Sequence, residues 1–347
     1  QRNEGQRLET TGCGQCLSYK VSVTSRFLTL IRNMINYILR RLLGIVPTWI
    51  LVALMAFLII HCTPGDPAAV MLGQEATAQG IEVTRHRLGL DRPIIVQLGT
   101  WMAGLFKGDL GYSFFLGRPV SQALLERLPV TASLSLCAII VALTMGTSLG
   151  ILASLHANTL IDTVTMAIAL LGLSSPEFLT GLVLIFLFAV GLNWLPVGGY
   201  VSFTHHFLLA LKHMIMPAFT LGLIQAALIA RITRATMLDV LNSEYIRTAR
   251  AKGLNDTTVI WKHAFRNALL PIITVIGMSF AMLLAGTFLT EMVFVLPGMG
   301  HLIISAVKQR DYPVIQGGVL FIGTVVLLIN LLIDVLYAYI DPRITYE

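Results

Sequence analysis

Charge is scarce in this sequence: Asp, Glu, Lys and Arg make up 12% of its 347 residues, against 56% hydrophobic ones. A soluble core of that length has no room for so much apolar surface, and the mean hydropathy of +0.79 places the chain in a bilayer. Its 24 basic residues outnumber its 18 acidic ones, but they are scattered between apolar runs rather than gathered with aromatics. They read as orientation signals and argue against a nucleic-acid partner. Cysteine is scarce too. Cys62 and Cys137 fall in or beside apolar runs, so with Cys13 and Cys16 they build no disulfide framework. Cys13-Gly14-Gln15-Cys16 has redox spacing but lies in a polar tail without a βαβ context, and reads as part of an unstructured leader. No Gly-x-x-x-x-Gly-Lys-Ser/Thr is present to cradle ATP phosphates, and neither HExxH nor a paired-Asp motif marks an intramembrane hydrolase.

What is there in quantity is apolar helix. A hydrocarbon layer of about 30 Å takes roughly 20 residues of helix, and six runs of that size stand out: 42–62, 131–155, 163–192, 214–232, 269–291 and 316–340. Pro47, Pro176 and Pro217 fall within or at the start of runs and predict kinks rather than boundaries. The third run exceeds one span, and its Ser174-Ser175-Pro176 break predicts a bend or a tilt. Arg40 and Arg41 ahead of the first run, and the basic loop between the fourth and fifth, place those segments and both termini in the cytoplasm. The segment 63–130 then faces outward. It is too long for a plain connector, and an amphipathic stretch at 94–105 is suited to lie on the membrane surface or meet an external partner. Residues 1–33 form a polar tail ahead of Met34, which reads as the natural start of a membrane domain running from 34 to 347.

The loop 236–268 has more pattern than orientation requires. Ser243 suits an N-cap, Glu244 the positive helix end, Arg250 and Lys252 the negative end, and Gly253 the residue after the C-cap. A second helix is expected from Asp256 as N-cap through Trp261 and Phe265 toward Asn267, ahead of Pro271. Small residues at Ala249 and Ala251 beside Tyr245, rimmed by Arg247 and Arg250, fit a helix that approaches another protein's groove. Taken alone, the charges are equally those of a solvated positive-inside loop.

Polar residues within apolar runs are the other candidates. Glu177 is a carboxylate in the third run, read as a pathway residue or as a cap at a helix N-terminus. Asn330 and Asp334 share a helix face, and Gln225 needs a partner inside the bundle; interhelical bonding competes with a pathway role for all three. Glu291 precedes Pro297-Gly298-Met299-Gly300, and reads as part of an outer gate or as an interfacial carboxylate. His205, His206 and His213 lack the spacing of a metal site and read as an ordinary loop.

Arg247-Thr248-Ala249, Gly253 and Leu270-Pro271 resemble the EAA motif of ABC-importer permeases, with Arg247 and Thr248 in place of the Glu and first Ala. Those departures are similar to the dipeptide, oligopeptide and nickel branch of binding-protein-dependent permeases. Further markers are Pro64-Gly65-Asp66-Pro67, Leu88-Gly89-Leu90-Asp91, Gly108-Asp109-Leu110-Gly111, Arg266-Asn267-Ala268, Arg310-Asp311-Tyr312-Pro313 and Asp341-Pro342-Arg343. The resemblance implies an all-α polytopic fold of six transmembrane helices, the type I ABC importer (MetI-like) permease fold, in a bacterial inner membrane. It implies a second, homologous permease, two ATPase subunits and an extracytoplasmic solute-binding protein as partners. ATP and Mg2+ would belong to the ATPases, with no cofactor or metal on this chain. Glu244, Tyr245, Arg247, Ala249, Arg250 and Gly253 would form the docking element. Di- or oligopeptides are the first expectation for cargo, with nickel or metal chelates, opines or glutathione as alternatives. A secondary transporter or channel is the rival class.

Overall fold

The computed structural model describes residues 39–61, 68–69, 77–87, 89–113 and 115–340. The polar tail with Cys13 and Cys16, Cys62, the Pro64-Gly65-Asp66-Pro67 turn, Leu88 and Asp341-Pro342-Arg343 lie outside them. Helix α1 spans Leu39–His61. The long connector that follows contains α2 (Ala78–Arg87) and α3 (Ile94–Phe106), then a hairpin pairing β1 (Tyr112–Ser113) with β2 (Arg118–Pro119). Then come α4 (Val120–Leu155), α5 (Leu160–Ser174), α6 (Glu177–Gly191) and α7 (Phe207–Leu241). A short α8 (Glu244–Ala251) precedes α9 (Asp256–Leu269), α10 (Pro271–Gly286), α11 (Phe288–Val293), α12 (Met299–Gln309) and α13 (Tyr312–Ile340).

Four helices among the described residues are long and apolar enough to cross a membrane, and there are six such spans if two bent pairs count as one each. The first pair, α5 and α6, bends by 104° at the expected break. Ser175 and Pro176 both have extended backbone there, because the proline ring keeps the residue before it out of the helical region. The second pair, α9 and α10, bends by 51° at Pro271.

Helix α4 starts at Val120, eleven residues before the expected 131. Glu126, Arg127 and Pro129 interrupt the apolar run without interrupting the helix. Its first turns bury Val120, Ala123 and Leu124 against Met299, Leu302 and Tyr312, and that packing carries the helix beyond the apolar layer.

The central pair is α4 with α7. Glycines let the backbones touch: a Cβ on Gly146 would meet Ile229 and the Ala226 carbonyl at 2.8 Å, and one on Gly150 would meet Thr233 and the Ala230 carbonyl at 2.6 Å. From the other side, Gly222 of α7 abuts Val141 and the Ala138 carbonyl at 2.9 Å. Small residues four apart on facing helices, here Gly146 and Gly150 against Gly222, Ala226 and Ala230, give the close approach that drives association where lipid removes the hydrophobic force. Gly146-Thr147-Ser148-Leu149-Gly150 also spells the nucleophile-elbow pattern of hydrolases. That pattern needs a strand-to-helix turn, and here it lies within a helix as packing.

The chain divides into two compact units, one of Gln1–Thr48 with Leu331–Glu347 and the other of Trp49–Asn330. Within the first, Arg41 pairs with Asp334 at 3.0 Å. Within the second, the largest cluster packs Leu134 and Ile139 with Met214, Met216, Ile229, Phe294 and Leu296.

Candidate functional site

Helix α8 is one compact element with two unlike faces. Ser243 is the N-cap residue by position, but its hydroxyl donates back to the Val240 carbonyl instead of capping. At the other end Gly253 adopts φ +79°, the left-handed conformation that glycine tolerates best. Its N–H donates to the Arg250 carbonyl (2.9 Å), and the Leu254 N–H donates to the Ala249 carbonyl (3.4 Å), the bond pair of a Schellman stop. Asn255, not the expected Asp256, caps the next helix, with its side-chain oxygen accepting the Thr258 N–H at 2.9 Å.

Ile246 and Ala249 are both buried, three apart, and Ile246 packs with Met237, Val259, Ala264, Ala268 and Ile272. This corrects the reading of Ala249 as a close-approach residue for a partner: it seats α8 on its own chain, because i and i+3 positions share a face. The exposed face carries Glu244, Tyr245, Arg247, Arg250 and Ala251. The Tyr245 hydroxyl accepts from the Asn267 amide (2.7 Å), clipping α8 to α9, while its ring remains 43% exposed. Arg247 lies 3.8 Å from Glu244 and Arg250 lies 3.6 Å from Asp256, both solvent-facing pairs of small energetic weight. Exposed Leu254 and Trp261 complete a basic patch with apolar points.

Glu291 is fully buried. Its carboxylate accepts from the Thr131 hydroxyl of α4 (2.6 Å), the Thr287 hydroxyl (2.9 Å) and the His301 N–H in the first turn of α12 (2.9 Å). Thr131 in turn accepts the Met299 N–H at 2.9 Å. The positive end of α12 is thus closed by a carboxylate and a hydroxyl from two other helices. Gly298 and Gly300 leave the space: a Cβ on either would press on the Glu291 carboxylate. Burial corrects the reading of Glu291 as an interfacial carboxylate.

Glu177 is the first residue of α6 after the 104° bend, and its carboxylate accepts the Thr290 hydroxyl, one residue before Glu291. The structure therefore brings the two predicted carboxylates onto neighbouring residues of α11. It does not bring the other candidates there. Gln225 is half-buried in α7, Asn330 is exposed on α13, and Asp334 is occupied by Arg41.

Two buried acids were not among the candidate site residues read from the sequence. Asp162, 5% exposed, receives Arg234 of α7 bidentately, Nε to Oδ1 and Nη2 to Oδ2 at 2.6 Å each, and also the Asn158 N–H at 3.0 Å. Asp311, 3% exposed, accepts the Ser113 hydroxyl and ties β1 to the start of α13, leaving its other oxygen without a partner. Burial pushes the Asp311 carboxyl up from its ordinary range, opposed by the bonds from Ser113 and the Val314 N–H. The signal for Asp162 was an acid in the one loop without basic residues, with Arg234 across from it on the next long helix. His213, for its part, lies 3.0 Å from the Gly198 carbonyl through Nδ1, and the described residues contain no cluster of three metal-ligating side chains.

A bent helix pair, a short helix between two long apolar ones and a buried carboxylate are features that many membrane proteins share, and the comparisons with known proteins decide among them. Residues 146–346 match the family described as binding-protein-dependent transport system inner membrane component, and residues 34–135 match the N-terminal component of the same system. The chain belongs to that family. A peptide transport system permease protein of Brucella abortus (strain 2308) is 44% identical over 310 residues, covering 89% of this chain and 99% of the relative. The glutathione transport system permease protein GsiC of Escherichia coli O6:H1 is 43% identical over 314 residues, 90% of this chain and all of the relative. Among solved structures, an inward-facing form of the MetNI methionine ABC transporter superposes with a TM-score of 0.54 at 16% identity, covering 63% of this chain and 97% of that one. The permease fold is therefore of the type I importer kind, and the chain is a multi-pass permease of a binding-protein-dependent importer.

Proposed function

We propose that this permease forms half of the translocation pathway of an ATP-driven peptide importer in a bacterial inner membrane. It pairs there with a second permease and docks on a separate ATPase through α8. The observation that carries the reading is the two-faced α8: one face is buried on the chain's own helices, so a push on the other is transmitted to α7 and α10. Arg231, Arg234, Arg247, Arg250, Lys252, Lys262 and Arg266 flank it, which by the positive-inside tendency puts this tip in the cytoplasm, where ATPases reside. The permease does no covalent chemistry. ATP-driven closure of the ATPase pair moves the docked tip, and the bent spans pass from inward- to outward-open. Glutathione, itself a small peptide, is a second cargo favoured by the 43% identical relative of that name.

The test is uptake and ATP hydrolysis by the full complex in vesicles. Exchanging exposed Arg247 and Arg250 for alanine together is expected to lower cargo-stimulated hydrolysis about tenfold, the effect of about 1.4 kcal/mol at a docking surface, with the fold intact by thermal melting. Unchanged stimulation, or uptake in the absence of any ATPase chain, refutes the reading.

A further inference from the structure

Helix α7 carries no Asp, Glu, Lys or Arg between Lys212 and Arg231. At 1.5 Å per residue that stretch is about 28 Å long, the thickness of a hydrocarbon layer. Arg231 is therefore the first cation at one edge of the apolar zone, and Arg234 follows a turn later. Their situations differ. Arg234 is saturated by Asp162, whereas Arg231 is exposed and has no acidic side chain within pairing distance among the described residues.

Both arginines line a cavity of about 240 Å³ between α5 and α7. Its remaining wall is apolar, with Met166, Leu170 and Leu173 from α5 and Ala227 from α7. Leu173 stands just before the 104° break. Discontinuous helices border the sites of transporters, because the broken backbone must line protein or water rather than lipid. A guanidinium on α7 with no acidic partner among the described residues, facing an apolar cavity whose other wall is the broken α5, calls for an anion carrying an apolar body.

Building on the peptide-import reading, we propose that Arg231 takes the terminal carboxylate of the cargo, with the cargo's last side chain in the cavity between α5 and α7. A guanidinium is always charged and matches a carboxylate fork-to-fork. The Asp162–Arg234 pair supports the site in two ways. It holds α5 against α7 so that the cavity has a fixed width, and it neutralises Arg234 so that a single positive charge remains to be met. The cavity accommodates one residue-sized group, so the proposal predicts selection at the carboxyl end of the cargo and tolerance elsewhere.

The experiment uses the whole importer in vesicles with its binding protein saturated. It compares uptake of a short peptide with a free terminal carboxylate and of the same peptide as its C-terminal amide. Arg231→Gln is expected to slow uptake of the free acid about tenfold, Arg231→Lys to restore most of it, and neither to change uptake of the amide by more than about twofold. Equal loss for both peptides, or no loss, overturns the assignment while leaving peptide import standing. A loss seen only in vesicles containing phosphatidylglycerol, and absent in pure phosphatidylcholine, assigns Arg231 to a lipid phosphate and likewise overturns it. A wild-type complex that imports neither peptide refutes the peptide reading itself, and the Arg231 assignment with it.

Discussion

Replacing Glu291 by alanine strands the Thr131 hydroxyl, the Thr287 hydroxyl and the His301 N–H, all of which now donate to one buried carboxylate. A hydrogen bond to a charged group is worth about 1.5–3 kcal/mol, and loss of one side of a buried charged arrangement costs about 3–5 kcal/mol. The three bonds share one acceptor and do not add, so the expected cost is about 3–5 kcal/mol. At about 2–4 °C per kcal/mol for a domain of this size, the melting temperature falls by about 6–20 °C. Glu291→Gln keeps one acceptor but turns an amide N–H toward the remaining donors and removes the charge at the end of α12. It is expected to cost about 1–3 kcal/mol. The assay is thermal unfolding of the detergent-purified complex at a fixed scan rate, with hydrogen exchange at Met299 and His301 as the local readout. Both amides should exchange faster in the alanine variant before the rest of the chain does. A melting temperature within about 1 °C of wild type, with α12 exchange unchanged, refutes the view that this carboxylate holds α12 in place.

Two further outcomes follow from the packing and the titration. Gly150→Leu drives a side chain into the Ala230 carbonyl and Thr233, and is expected to cost more than about 3 kcal/mol and to abolish stable membrane accumulation; accumulation at wild-type level would refute the close α4–α7 crossing. Asp311 has a raised pKa when folded. Its carboxyl thus costs stability as pH climbs from the unfolded value of about 4 through the higher folded one, and the full cost is present only above the folded value. Asp311→Asn keeps an acceptor for Ser113 and is expected to melt higher than wild type at pH 8, with the advantage shrinking toward pH 4. An advantage that does not change with pH would show that burial of the charge is not its cause.

Much of the fold was legible in the residues, and each success has a local cause. The bend at Ser175-Pro176 is dictated by proline sterics on its own neighbour. The stop of α8 follows from Gly253, whose left-handed backbone acts over a few residues, whereas Ser243 stands at the start without capping it. The apolar runs were found because length and hydropathy are properties of a single segment. The misreadings involved partners distant in sequence. Ala249 has the size of an interface residue, and its type does not reveal that it is buried on the face it shares with Ile246, which packs on Met237 and Ile272. Asn255 and Asp256 are equally good caps by type, and only the turn's geometry chose between them. Glu291 stands in an outer segment with the composition of an interface; its burial depends on Thr131, which is 160 residues away.

The sequence by itself determined that the chain spans a membrane, that it bends at Ser175-Pro176, and where a short helix ended by Gly253 stands outside the apolar runs. Hydrophobicity, proline geometry and capping act over one helix turn or one span, and they need no knowledge of the rest of the chain. The tertiary structure alone decided which face of α8 is free and which acids are locked, Asp162 by Arg234 and Glu291 by two threonines and a backbone N–H. It also decided that Arg231 has no acidic partner among the described residues. Those outcomes depend on which helices meet, and the closest of the meetings described, α4 with α7, is permitted by glycines on both helices.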